Sequence, residues 1–197
     1  MTDEHEHEHH HTHDYAQAVE QERHEVAHYY ADHFDWRGHE PPADWAGPQY
    51  YPTSEKWRLD AWLDKDAPGT GDHIQLATST GKLRDMTVAG QLVFEVDGRE
   101  HRLNGYRRHG HEHDEEEQLF VPFQDATSGR ETYGAGRYLD LPPAEDDGIY
   151  DLDFNFAYNP SCAYSPVYDC PYPPKGNRLD IRVDAGEKVP FPGQLAH

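Results

Sequence analysis

Residues 119–170 read LFVPFQDATSGRETYGAGRYLDLPPAEDDGIYDLDFNFAYNPSCAYSPVYDC, and this stretch decides the fold. It is the least charged and most aromatic part of a polar chain, and it holds both cysteines. Leu119, Val121 and Phe123 alternate, which predicts a strand, and Pro122 within it predicts an edge or a bulge because proline cannot donate to a ladder. Residues 125–130 predict a turn, with Asp125 bonding amides ahead of it. Residues 131–141 predict the next strand, where Gly134 and Gly136 permit a bend or a close backbone approach. Tyr150, Leu152, Phe154 and Phe156 alternate with Asp151, Asp153 and Asn155, which predicts one apolar face and one polar face.

Working outward, the period of two continues upstream. Strands are predicted at 57–63, 73–78 and 87–96. Asp97-Gly98 is a hairpin turn, and 99–106 returns antiparallel. Downstream, 179–183 predicts a last strand, followed by a Pro-rich tail. Residues 14–34 predict a helix capped by Asp14, with Tyr15, Val19, Val26, Tyr30 and Phe34 on one stripe. The loop 35–52 is rich in Pro, Gly and Trp, and Trp36, Trp45 and Tyr51 are its expected anchors. The fold expected is mainly β: an antiparallel curled sheet or small β-barrel of roughly eight strands with one N-terminal helix. The expected organisation is a disordered His/Glu-rich tail at 1–13, one domain at 14–190 and a short C-terminal tail.

Charge bounds the partners. The chain has 17 basic and 38 acidic side chains, a formal charge of −21. Phosphates repel such a surface, so neither nucleic acid nor an anionic membrane is an expected partner. Carboxylates spread along the chain, with Arg favoured over Lys, fit a halophilic protein whose self-repulsion is screened by salt. No run of 18 apolar residues is present and the N-terminus is acidic, which gives a cytoplasmic expectation.

Three histidine clusters invite metal. His5, His7, His9, His10, His11 and His13 interleave with Glu, and neutral imidazole is the commonest metal ligand, so Zn or Ni capture is expected there. His24-Glu25-Val26-Ala27-His28 has zincin spacing on the helix, with His39 and Asp44 as candidate further ligands. With 16 histidines in the chain, such spacing arises easily by chance. His109, His111 and His113 alternate in an acidic loop, where a solvated hairpin tip is the plainer reading. Cys162 and Cys170 lie eight positions apart. A small disulfide or packed thiols come ahead of half a thiolate metal site, and a Cys162 nucleophile comes last for want of a basic partner nearby.

A pocket is expected where the polar face of 150–156 meets Arg137. Tyr133, Arg137, Asp153, Asn155, Tyr158, Asn159, Cys162 and Cys170 form the candidate ligand-binding set. Arg137 would pair with Asp153 or grip an anionic group through its planar fork. The leading function is binding of a small polar or anionic molecule. The alternatives are an accessory metal-binding protein and a hydrolase-like enzyme with Asp153 as general base.

The segments DATSGRETYGAGRYLDL, LDFNFAYNPSCAYSPVYDCPYPP, NRLDIRVDAGEK and GQLVFEVDGREHRL resemble the bacterial and archaeal family catalogued as domain of unknown function 1684. The resemblance runs from about Asp14 to Lys188. It implies one mostly β domain behind an N-terminal helix, and no established activity. The motif positions that it marks here include Asp125, Thr127, Ser128, Gly129, Tyr133, Gly136, Arg137, Asp153, Asn155, Tyr158, Asn159, Cys162, Tyr164, Cys170 and Asn177. The His clusters fall outside those motifs.

Overall fold

The computed structural model describes residues 4–108, 118–144 and 146–191, with side chains described from residue 14 onward. Helix α1 (Glu4–Asp32) precedes seven strands: β1 (Arg58–Asp64), β2 (His73–Ala77), β3 (Leu83–Val96), β4 (Arg99–Arg108), β5 (Leu119–Phe123), β6 (Arg137–Leu141) and β7 (Ile149–Asp153). They form one curled, half-barrel antiparallel sheet in the order β6-β5-β4-β3-β1-β7, with β2 also paired to β3. The expectation of a mainly β fold with one N-terminal helix is met. Helix α1 begins at Glu4 rather than Asp14, so Asp14 lies inside it and is no cap. No described helix is long and apolar enough to cross a membrane.

The long β3–β4 hairpin turns at Asp97-Gly98, both at positive φ (50° and 75°), as a two-residue hairpin turn requires. A register shift between Val88 and Gly90 bends β3. Pro122 sits in β5, an interior strand by order. It is tolerated because β4 and β5 pair only through Tyr106 and Phe120, and the ladder has ended before Pro122 is reached.

Among the described residues one expected strand is absent and another is shortened. Residues 179–183 run as irregular chain alongside the 124–126 loop: Leu179 donates to Gln124 O and Ala126 donates to Ile181 O. Residues 131–136 form turns, so the predicted strand shrinks to β6. Gly136 explains part of this. Its φ is +102°, and a Cβ there would meet Phe123 O at 2.5 Å, so the chain crosses β5 closely before β6 starts.

The sheet buries two cores. One packs Trp57, Leu92, Phe94, Leu103, Phe123, Leu152 and Phe154 with Leu179 and Val183 from the C-terminal segment. The other is aromatic and joins Tyr30 and Phe34 at the end of α1 to Trp36, Phe120, Tyr138 and Tyr164. Strand β5 feeds both, since Leu119, Val121 and Phe123 face one core and Phe120 the other. Trp36 and Tyr51 are buried, and Trp45 donates through Nε1 to Pro190 O at 3.2 Å, so the loop anchors hold as expected.

Candidate functional site

The alternation of residues 150–156 stops at Asp153. The Asp153 carboxylate accepts from Asn155 N at 2.9 Å and so starts a 3-10 turn at Phe154–Phe156. The turn swings Phe154 into the core and leaves Phe156 exposed. Asp153 therefore points away from Arg137. Its oxygens accept from the Asn155 backbone and side chain and from the Tyr15 hydroxyl of α1. Asn155 in turn bonds both polar groups of the Ser54 backbone, at 2.9 and 2.8 Å. These two side chains tie the helix and the β1 entry to the end of β7.

The expected Arg137–Asp153 pair does not form. Arg137 is fully buried and faces Asp125 at 3.5 Å. It also donates to the carbonyls of Val183 (3.1 Å), Ala185 and Glu187 (3.2 Å), with its guanidinium over the Phe123 ring. Asp125 accepts from Val183 N at 2.7 Å and from Thr127 and Ser128. Arg137 and Asp125 thus pin the C-terminal segment 183–187 across the sheet. Desolvation lowers the Arg137 pKa from its ordinary value, but guanidinium stays charged. Asn177 is a second clamp: its amide group holds Asn104 O and Pro122 O.

The remaining predicted residues divide between two places. Cys162 and Cys170 are free, buried thiols packed beside Tyr133 and Tyr138 in the aromatic core. Cys170 Sγ accepts from Cys162 N at 3.3 Å. A hydrogen bond from the Cys170 thiol, backed by Ser79 and Tyr133 hydroxyls, draws the Cys162 pKa down; the same bond and burial push Cys170 up. Tyr158 donates to Asp140.

Asn155, Tyr158 and Asn159 do meet in a cavity, though not around Arg137. It is a partly open space of about 310 Å³ between one face of α1 and the segment 155–161. Helix α1 contributes Glu22, Arg23, Val26, Tyr29 and Tyr30; the opposite wall carries Phe156, Ser161, Tyr50 and Glu187. Glu187 is buried in full. Its Oε2 accepts from Asn159 N and the Tyr164 hydroxyl, both at 2.7 Å, and its Oε1 accepts from the Tyr50 hydroxyl at 3.4 Å. Burial raises its pKa to about 7, against the pull of those donors and of Arg137. Among the described residues no cationic group forms an ion pair with it. Burial, with the Glu187 charge second, raises the Tyr30 and Tyr50 pKa values.

Two of the residues that line the cavity hold buried polar atoms without partners among the described residues. Asn159 is one, through Oδ1. The other is Arg23, through Nε and Nη2, a side chain only 8% exposed whose guanidinium covers the Tyr50 ring at 4.5 Å and whose Nη1 reaches Glu20 at 2.8 Å.

Sequence reasoning missed Glu187, which it placed inside the domain without a role, and Arg23. Arg23 had a signal: it falls on the buried stripe, four positions after Val19 and three before Val26, where a charge needs a reason. Glu187 had none, because its depth depends on the Arg137 clamp far away in the chain.

The metal expectations fare unevenly. His5, His7, His9, His10, His11, His13, His109, His111 and His113 lie outside the residues whose side chains are described. His24 and His28 are on the exposed side of α1, and His28 faces Asp32 at 3.7 Å. Among the described residues no three His, Cys, Asp or Glu side chains converge on a common point, so the zincin spacing gains no third ligand.

Residues 43–188 match the family model described as "Protein of unknown function (DUF1684)". The fold is similar to the solution NMR structure of an uncharacterized protein of Haloarcula marismortui. The two are 32% identical, with a TM-score of 0.64, over 90% of this chain and 95% of that one. No curated protein matches. With the sheet, its clamps and the cavity's inner wall all inside the matched span, the chain belongs to the DUF1684 family.

Proposed function

We propose that this protein binds a small polar molecule in the cavity between α1 and residues 155–161. The carrying observation is the cavity itself: about 310 Å³, walled by aromatic rings, with buried polar groups that the chain leaves short of partners. Apolar walls with a few fixed polar groups are the usual make-up of a small-molecule site. Arg137 has no part in it, since it does not line the cavity and carbonyls and Asp125 occupy both its Nη groups. The acid–base role considered for Asp153 loses its footing for a similar reason: its oxygens are taken by Asn155 and Tyr15. The binding residues retained from the predicted set are Asn155, Tyr158 and Asn159, joined by Glu187, Tyr30 and Tyr50.

The test is a ligand-observed NMR screen of small polar compounds against the wild type and Val26→Trp. Val26 is half-buried at the cavity wall on the helix side, and an indole there narrows the space. Compounds that bind the wild type and not the folded variant support the reading. Binding that survives the plug, or no binding at all, overturns it.

A further inference from the structure

Within that reading, and resting on it, the lining gives the ligand a sign. We infer that the cavity selects a small organic cation, an amine head on an apolar body, seated against Glu187 and surrounded by the rings of Tyr29, Tyr30, Tyr50 and Tyr158.

The groups short of partners at the inner wall are acceptors, and the free N–H groups belong to Arg23 on the helix side. Glu187 Oε2 is saturated by two close donors, but Oε1 has only the Tyr50 hydroxyl at 3.4 Å, longer than an ordinary O–H···O contact. Asn159 Oδ1 has no partner, and it belongs to the residue whose backbone N–H grips Glu187. An ammonium group carries up to three donors and no acceptor, which complements this pair. Ring faces carry negative potential and attract cations most strongly where water is excluded.

Charge points the same way. Two carboxylates, Glu22 and Glu187, line the space against one guanidinium, Arg23. Arg23 is paired with Glu20 through Nη1 and stacked on Tyr50, and only its Nε and Nη2 edge is left unpartnered. The Arg137 charge reaches Glu187 but is paired with Asp125, so the buried carboxylate has no ion-pair partner of its own and a bound cation supplies one. An anion would gain the Arg23 edge on the outer wall but would meet Glu187 and the ring faces at the inner one.

The groups facing Glu187 are Tyr30 from α1, Tyr50 from the loop before β1, Tyr164 from the segment after 161, and Arg137 from β6 beyond the backbone of 187. Glu22 and Arg23 lie further along α1. The tyrosines and arginines do not change charge near neutrality, so Glu187 governs the pH response. Cation binding takes its ionised form, and affinity rises with pH from 6 to 8 as a proton is released.

The experiment is isothermal titration of the full chain with benzylamine, benzyl alcohol and benzoate. These are matched in size and differ in charge. Measurements at pH 6 and 8 use buffers of different ionisation enthalpy to count protons. Benzylamine is expected to bind about tenfold tighter than either other probe, the effect of one favourable contact. It should tighten several-fold by pH 8 with proton release, lose its preference in Glu187→Gln and lose binding in Val26→Trp. If Glu187→Gln does not fold, the wild-type pH profile and proton count decide. Equal binding of benzyl alcohol or benzoate, blocked by Val26→Trp, overturns the cation assignment and leaves the cavity reading standing. Benzylamine binding that Val26→Trp does not change, which is general attraction to an acidic surface, overturns both, as does no binding by any probe.

Discussion

Replacing Arg137 by Ala removes the centre of a buried clamp, and the structure sets the size of the effect. The guanidinium faces Asp125 and donates to three carbonyls of the segment 183–187. Removing one partner of a buried ion pair costs about 3–5 kcal/mol, because the other charge is left uncompensated. The carbonyls that lose the guanidinium add about 1 kcal/mol in all where water enters the space the side chain leaves. Asp125 keeps its bonds to Val183 N, Thr127 and Ser128, which holds the total toward the lower end. The expected loss is about 4 kcal/mol, or roughly 8–16 °C in Tm for a chain of this size. Urea denaturation followed by tryptophan fluorescence measures it, because Trp57 lies in the core that this clamp closes. Arg137→Met, which keeps bulk over Phe123, should lose about 3 kcal/mol. Adding Asp125→Asn to it should recover part of that loss, since no bare carboxylate then remains. An Arg137→Ala protein within about 1 kcal/mol of the wild type would refute the clamp, because no buried ion pair is lost so cheaply.

Four further outcomes follow from particular contacts. The Glu187 pKa stands at about 7 in the fold against an ordinary 4.5, so its stabilising effect is whole below pH 4.5 and is lost as pH rises through 7. Denaturation from pH 5 to 8 should therefore show a decline on the order of 3 kcal/mol that Glu187→Gln lacks. A Cβ at Gly186, where φ is +73°, meets Ala157 O at 2.5 Å and Phe154 O at 2.7 Å, so Gly186→Ala should cost about 2–3 kcal/mol by the same denaturation. Peptide mapping after brief iodoacetamide treatment should find Cys162 alkylated ahead of Cys170, since the Cys170 thiol donates to it; the reverse order would refute that donor assignment. Zn or Ni titrated into the full chain should exceed uptake by a chain beginning at Asp14, and equal uptake would remove the role given to His5–His13.

The sheet was legible from sequence wherever local pattern decides the structure. The alternation of 87–96, the Asp97-Gly98 turn and the return at 99–106 are short-range signals, and they gave β3 and β4 almost in full. The readings that failed were decided at long range. Residues 150–156 keep a strand's alternation in sequence, but the Asp153 side chain captures the Asn155 amide and turns the chain, which no period reveals. Residues 179–183 alternate as a strand would, yet their backbone partners lie in the 124–126 loop. Arg137 was rightly singled out as a buried charge in need of a partner. The partner was misassigned because Asp125 and Asp153 are equivalent by sequence, and only the position of 183–187 separates them.

The same clamp explains why a carboxylate ends up at the cavity wall at all. Arg137 fixes the backbone carbonyls of 183, 185 and 187, and Gly186 between them lets the chain pass within contact distance of Phe154 O and Ala157 O. A chain held on both sides of Gly186 has no freedom to swing the next side chain outward. Glu187 is turned inward, toward Asn159 and Tyr164, whatever its desolvation costs. The inner wall of the cavity is thus set by the sheet and its clamps, all within residues 43–188. The outer wall comes from α1, which precedes that span and is held by Val19, Tyr30, Phe34 and the Tyr15–Asp153 bond. Substitutions at Glu22, Val26 or Tyr29 should therefore change which molecule is accepted without disturbing the sheet. Substitutions at Arg137 or Gly186 should weaken binding and stability together.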